Sequence, residues 1–510
     1  MKSFFRLTVR YSAILTVFGW TTCIFADVSV SPLFSDHAVL QAGAHTAVWG
    51  TAAEGEKVTV QIGSAEASTV ASGGRWKVVL PQLTPNASGR DLVITGTNRV
   101  VSSDVLVGDV WLAAGQSNME RKLGLANHQP PIDNYREEAA TANIPTIRFF
   151  NVPNTPLISP TLELKGSWQV LSPANVLSCS AVGFFFARSL HQAGKGPIGL
   201  VLNAAGGTMA QSWISREALL RVPDLAKIAT DWDADVIAYP ELLSQYKTKA
   251  EAAKASGQAA PEKVKMRDPI GHYLAPISRY NGMVHPLLPL TLRGVIWYQG
   301  ESNTGKPLEY PLLMQTLTTE WRTKFESPEL PFLMVMVAPY KKSSPEMRLA
   351  QCRAAHLVGH ADIVNTLDIG DAEDIHPAHK RPVGERLALL ARRLVYGEKQ
   401  WVTSGPRFAG ANFAAGKATI SFTDLGSGLS AQGNVLTGFA LAGADGKFAP
   451  AEARIEARIE GDTVVVSSPA LASPTAVSYG WASAPIANLA NKEGLPAFPF
   501  HSDRLLETKE

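Results

Sequence analysis

The sequence predicts a mixed α/β protein whose core is a parallel five-stranded sheet covered by helices on both faces, with a β module on either side of it. Three observations carry this expectation. Between about residues 104 and 400, short apolar runs alternate with amphipathic helical stretches. Before and after that stretch the helical period vanishes, and short alternating strands punctuated by Gly and Asn take over. At 510 residues the chain also exceeds one ordinary domain and leaves room for smaller modules beside a large core.

The chain opens with Lys2, Arg6 and Arg10 ahead of an apolar stretch that ends at Ala26, the pattern of an export signal. The stretch is short for a bilayer span and contains Gly19, Thr21 and Thr22, so removal of residues 1–26 is expected rather than anchoring. Trp20 stands where lipid attachment at Cys23 would want a small aliphatic residue. The expected destination is the periplasm or the exterior, with no membrane span after removal. Cys179 and Cys352 then remain, either as a pair or as two free buried thiols.

Residues 27–103 read as an N-terminal β module, with strands at 46–49, 57–62, 75–80 and 91–95. Residues 104–400 supply the five core strands at 105–113, 198–203, 294–298, 332–337 and 363–368. Helices are expected between and after them at 182–193, 310–325, 347–358 and 383–395. In the second of these helices Tyr310, Leu313, Met314, Leu317, Trp321 and Phe325 fall on one face. A Lys- and Ala-rich helical insertion occupies about 215–270, with a loop at 257–261. Residues 401–510 form the second β module, with strands at 417–422, 453–459, 463–467 and 476–481.

A formal net charge of +2 without any run of like charge excludes a nucleic-acid groove and a polybasic membrane anchor. Chemistry is instead expected at the carboxyl ends of the core strands, where ligand crevices of parallel sheets lie. The first strand runs into Gly115-Gln116-Ser117-Asn118-Met119, a sharp turn that places a hydroxyl at a helix start. An ordinary N-cap serine would look the same. The second runs into Gly206-Gly207-Thr208, either an anion-binding turn or simply a tight one. The third runs into Gln299-Gly300-Glu301-Ser302-Asn303, and the last into Asp371-Ala372-Glu373-Asp374-Ile375-His376-Pro377.

A nucleophile, an oxyanion turn, an amide and an acid–histidine pair on one edge together suit acyl transfer. No Gly-x-Ser-x-Gly elbow, His-Glu-x-x-His helix or phosphate-binding glycine loop is present. A metal site built from His376, His379 and Asp374 is disfavoured, because Pro377 and the helix start separate their directions. No metal or cofactor is expected.

With these motifs, and with Gly294-Val295-Ile296-Trp297-Tyr298 and the later Asn488-Leu489-Ala490-Asn491-Lys492-Glu493-Gly494-Leu495-Pro496, the chain resembles the sialate O-acetylesterase family of the SGNH hydrolases, related to acetylxylan esterases. The resemblance implies a flavodoxin-like core and a serine esterase acting on acetylated carbohydrates. O-acetylated sialic acids are the first expectation and plant polysaccharides such as xylan the second. A non-catalytic glycan-binding protein would have no use for Ser117 and His376 together. By motif, Ser117 attacks the acetyl carbonyl and His376 moves the proton. The N–H groups of Ser117 and Gly207, with the Gln299 or Asn303 amide, would bind the oxyanion. Asp374 is the expected orienting acid, with Glu301 and Glu373 as alternatives. A sialate carboxylate would want a cation, and Arg348 is the candidate.

Overall fold

A computed structural model describes residues 27–127, 129–259, 268–448 and 454–504. The expected export signal with Cys23, the end of the 257–261 loop, and Ala453 lie outside the described residues.

One long strand, Arg99–Gly115, organises the molecule. Its first half pairs antiparallel with Asn86–Thr95 and parallel with Val39–Gln41, inside the N-terminal module. Its second half lies parallel between Ile198–Ala204 and Gly294–Tyr298, at the centre of the next sheet. The boundary expected between 103 and 104 therefore falls within a strand and not in a linker. Asp104 marks it with a left-handed backbone (φ 55°) in mid-strand. Its carboxylate is held there by His37 at 2.8 Å and Arg148 at 2.9 Å.

The central sheet runs Trp168–Val170, Ile147–Asn151, Ile198–Ala204, Arg99–Gly115, Gly294–Tyr298, Phe332–Val335, Ala361–Val364. All neighbours are parallel except the first pair. The five expected strands are joined by a sixth parallel one, Ile147–Asn151, whose apolar run is broken by the buried Arg148. Chain order along the sheet reverses at Arg99–Gly115. This makes the carboxyl end of that strand the topological switch point, where such sheets hold ligands.

Period-two alternation feeds two separate cores. Trp111, Ala113, Ile296, Tyr298, Leu333 and Val335 pack against helices Ala181–Gln192 and Arg381–Leu394. The intervening Leu112, Ala114, Val295, Trp297, Phe332 and Met334 meet Leu313, Leu317 and Trp321 of helix Tyr310–Lys324, and Met347 of helix Pro345–Val358. Gly294–Tyr298 and Phe332–Val335, buried on both faces, are accordingly apolar throughout.

The insertion contains the 33-residue helix Pro223–Ala255, which buries only Leu225, Ala229, Trp232 and Ala253. The C-terminal region forms a four-stranded antiparallel sheet and two smaller ones. Cys179 and Cys352 are both free thiols. Among the described residues no helix is long and apolar enough to cross a membrane.

Candidate active site

The turn after the long strand requires glycine. Gly115 has φ 135°, and a Cβ there would stand 2.1 Å from the carbonyl oxygen of Tyr298 on the neighbouring strand. The chain then turns up, the Gln116 N–H donates to that same carbonyl at 2.9 Å, and Ser117 begins the short helix Ser117–Glu120.

Ser117 Oγ lies 2.9 Å from Nε2 of His376. Two residues 259 positions apart thus meet at one edge because the sheet brings their loops together. Burial depresses the basicity of His376, the positive charges of Lys380 and Arg121 push the same way, and Asp374 opposes them. The imidazole is accordingly neutral near pH 7 and able to take the serine proton. Asp374 Oδ1 sits 3.6 Å from Nδ1 of His376 and accepts the His376 backbone N–H at 2.7 Å. The 3.6 Å separation is long for a hydrogen bond, as is common before substrate tightens such a site.

The alternative acids take other places. Glu373 is exposed and ion-paired to Lys341 at 2.6 Å. Glu301 accepts from Asn118 Nδ2 at 2.5 Å, without a hydrogen bond to His376, and burial pushes its pKa up. His379 turns to Asp133 instead of joining His376 and Asp374, so the imagined metal trio is not assembled.

Gly207 has φ 74° and lies under the Tyr273 ring, 2.8 Å from where a Cβ would stand. A Cβ on Gly206 would be 3.5 Å from that of Ser117, so this turn presses against the serine. Ser302 Oγ donates to the Gly207 carbonyl at 2.7 Å and fixes that peptide. Among the described residues no turn or side-chain hydrogen bond takes up the N–H of Ser117 or Gly207.

Two expectations need correction. Gln299 and Asn303 do not face the crevice. Gln299 Nε2 donates to Asn303 Oδ1 (2.8 Å), Thr208 O (3.1 Å) and Gln116 Oε1 (3.2 Å), while Asn303 Nδ2 donates to Gln211 at 3.1 Å. Both are fully buried and bind the three turns to one another from below. Arg348 is also fully buried. Its guanidinium donates to the carbonyls of Val337, Ala482 and Ser483 and to Ser343 Oγ, tying its helix to the C-terminal region, far from any substrate role.

Several residues at the site carried no role in the sequence reading. Asn118 joins Glu301, Lys380 and the Ile375 carbonyl. Lys380 is 1% exposed, and burial drives its pKa down to about 7 against the pull of Glu301. Beside the serine turn lies a cavity of about 290 Å³ lined by Met119, Glu120, Lys122, Asn151 and Asn154 among others. A larger groove of about 740 Å³, around Trp49, Trp76 and Leu162, lies between the N-terminal module and residues 162–165 and 288–289 and includes none of the crevice residues.

Residues 107–237 and 262–392 match the family described as carbohydrate esterase, sialic acid-specific acetylesterase. The chain is 30% identical to the sialate O-acetylesterase of Rattus norvegicus over 70% of its own length and 72% of the relative's. It is 28% identical to that of Homo sapiens, covering 76% and 75% respectively. Among solved structures it is similar to a carbohydrate acetylesterase from Xanthomonas citri, with a TM-score of 0.78, 33% identity, and coverage of 94% of this chain and all of that one.

Proposed function

We propose, from the premise that the chain belongs to the sialic acid-specific acetylesterase family of carbohydrate esterases, that Ser117, His376 and Asp374 carry out its hydrolysis of carbohydrate O-acetyl esters. The observation that carries this reading is the 2.9 Å contact between Ser117 Oγ and His376 Nε2 at the topological switch point. His376 takes the serine proton as Oγ adds to the acetyl carbonyl. The N–H groups of Ser117 and Gly207 face the developing oxyanion, where loss of one donor typically costs about 3 kcal/mol. Collapse of the tetrahedral species returns the proton to the sugar oxygen and leaves an acetyl-enzyme; water then repeats the sequence and releases acetate. Asp374 holds the imidazole and supports its charged form. No step calls for a metal.

This reading places the fold with the SGNH hydrolases on a flavodoxin-like core, and the expected export signal places the enzyme in the periplasm or outside the cell. O-acetylated sialic acid is the preferred substrate. The family match supports that preference, while Arg348 is buried and offers the sialate carboxylate no cation. Comparing O-acetylated sialic acids with acetylated xylan at matched acetyl concentration tests it. A kcat/KM at least tenfold higher on the sialic acids is expected, and a preference for xylan overturns the substrate assignment while leaving the esterase chemistry intact.

A further inference from the structure

We propose that Lys380 and Glu301 are positioning residues for this reaction, acting through Asn118 on the peptide group that carries His376. The proposal rests on the Ser117–His376 reading above and extends it to three buried side chains.

Lys380 offers only donors, and its ammonium finds Asn118 Oδ1 at 2.5 Å with the Tyr298 ring 5.6 Å away. That contact fixes which way the Asn118 amide points, since its oxygen must face the lysine. Both amide hydrogens are then directed elsewhere: one to Glu301 Oε1 at 2.5 Å, the other to the Ile375 carbonyl at 3.1 Å. The Ile375 carbonyl and the His376 N–H belong to one peptide group, whose N–H is held by Asp374 at 2.7 Å. The peptide that sets the imidazole is therefore clamped at both ends. Asn118 also follows Ser117 directly, so one residue sets the register of nucleophile and base together.

A fold-stabilising role alone does not explain the charges. Buried ion pairs seldom stabilise more than apolar side chains of the same volume, and a methionine would fill the lysine's space among the same neighbours. Glu301 Oε2 has no hydrogen-bond partner among the described residues, and the side-chain groups that support this buried carboxylate, beside the backbone of Glu301 and Gly300, are Asn118 and the nearby ammonium. The charged groups around Lys380 are Glu301, Asp374 and Arg121, and those around His376 are Asp374, Lys380 and Arg121.

The test measures Lys380→Met, Glu301→Gln and the double variant in the full chain, on a small chromogenic acetate ester, with Ser117→Ala as the control. Lys380→Met should lower kcat about tenfold or more with KM within about twofold. It should also move the acid limb of kcat/KM upward by about half a pH unit or more, because a positive charge that disfavours the imidazolium is gone. The double variant should lose no more than the worse single, since both act through one amide. A folded Lys380→Met with parental kcat and an unmoved acid limb overturns the proposal, as do additive losses in the double variant. If Lys380→Met does not fold, the double variant, which leaves no lone buried charge, carries the test with the same expected kcat. If neither folds, the unit holds the fold rather than the histidine and the proposal fails. An active Ser117→Ala would instead overturn the serine reading itself.

Discussion

Residues 299–303 and residues 371–377 reach the same crevice with similar side chains, amides and carboxylates after core strands, yet they use them differently. In the first loop Gln299 and Asn303 are turned into the protein, and each meets buried acceptors or donors on neighbouring turns. In the second, Asp371 caps its own loop by accepting the Glu373 N–H at 2.8 Å, and Glu373 goes to the surface. Only Asp374 and His376 turn inward toward Ser117. Polar residues at a strand end thus mark a site but do not reveal which of them do chemistry. A side chain whose hydrogen bonds are already made by its own protein is part of the frame.

Removing Ser117 should separate chemistry from frame most sharply. Ser117→Ala should lower kcat by at least about ten-thousandfold with the melting temperature nearly unchanged, because the half-buried hydroxyl supports no packing. Asp374→Asn should lower kcat at least about a hundredfold, while Glu301→Gln loses less, since it reaches His376 only through Asn118. The reverse order would make Glu301 the orienting acid and redraw the division between the two loops.

The pH profile follows from His376. Its pKa lies below the ordinary 6.5, so the neutral, active base persists to lower pH than usual. Activity should therefore fall only as pH drops through a midpoint below that value; a midpoint well above it would contradict the burial argument.

Gln299→Ala tests the frame. It leaves the Thr208 carbonyl without a buried donor and should cost about 1–3 kcal/mol in stability by denaturant titration. Glu373→Gln, at the exposed end of the comparison, should stay within about twofold of the parent in kcat and in melting temperature.

The serine turn and the histidine were legible because both rest on local chemistry: a glycine that must pass close to a neighbouring carbonyl, and a histidine just ahead of a helix. Strands Lys57–Ile62, Arg75–Leu80 and Gly294–Tyr298 were legible from alternation or continuous apolarity. Ile147–Asn151 was not, because Arg148 is buried only through its pairing with Asp104, far away in sequence. Lys380 escaped notice for the same reason. A lysine just ahead of a helix reads as solvated until distant loops close over it. Arg348 erred in the opposite sense, since nothing local announces that residues 482 and 483 will cover its helix.

The account turns on an acetyl group passing through Ser117. Rapid quenching of the enzyme with an O-acetylated sialic acid, followed by mass spectrometry of its peptides, observes that directly. The predicted result is one acetyl group on the peptide containing Ser117, accumulating before steady state and absent from Ser117→Ala. Full turnover by Ser117→Ala, or acetylation at another residue in step with acetate release, would contradict it.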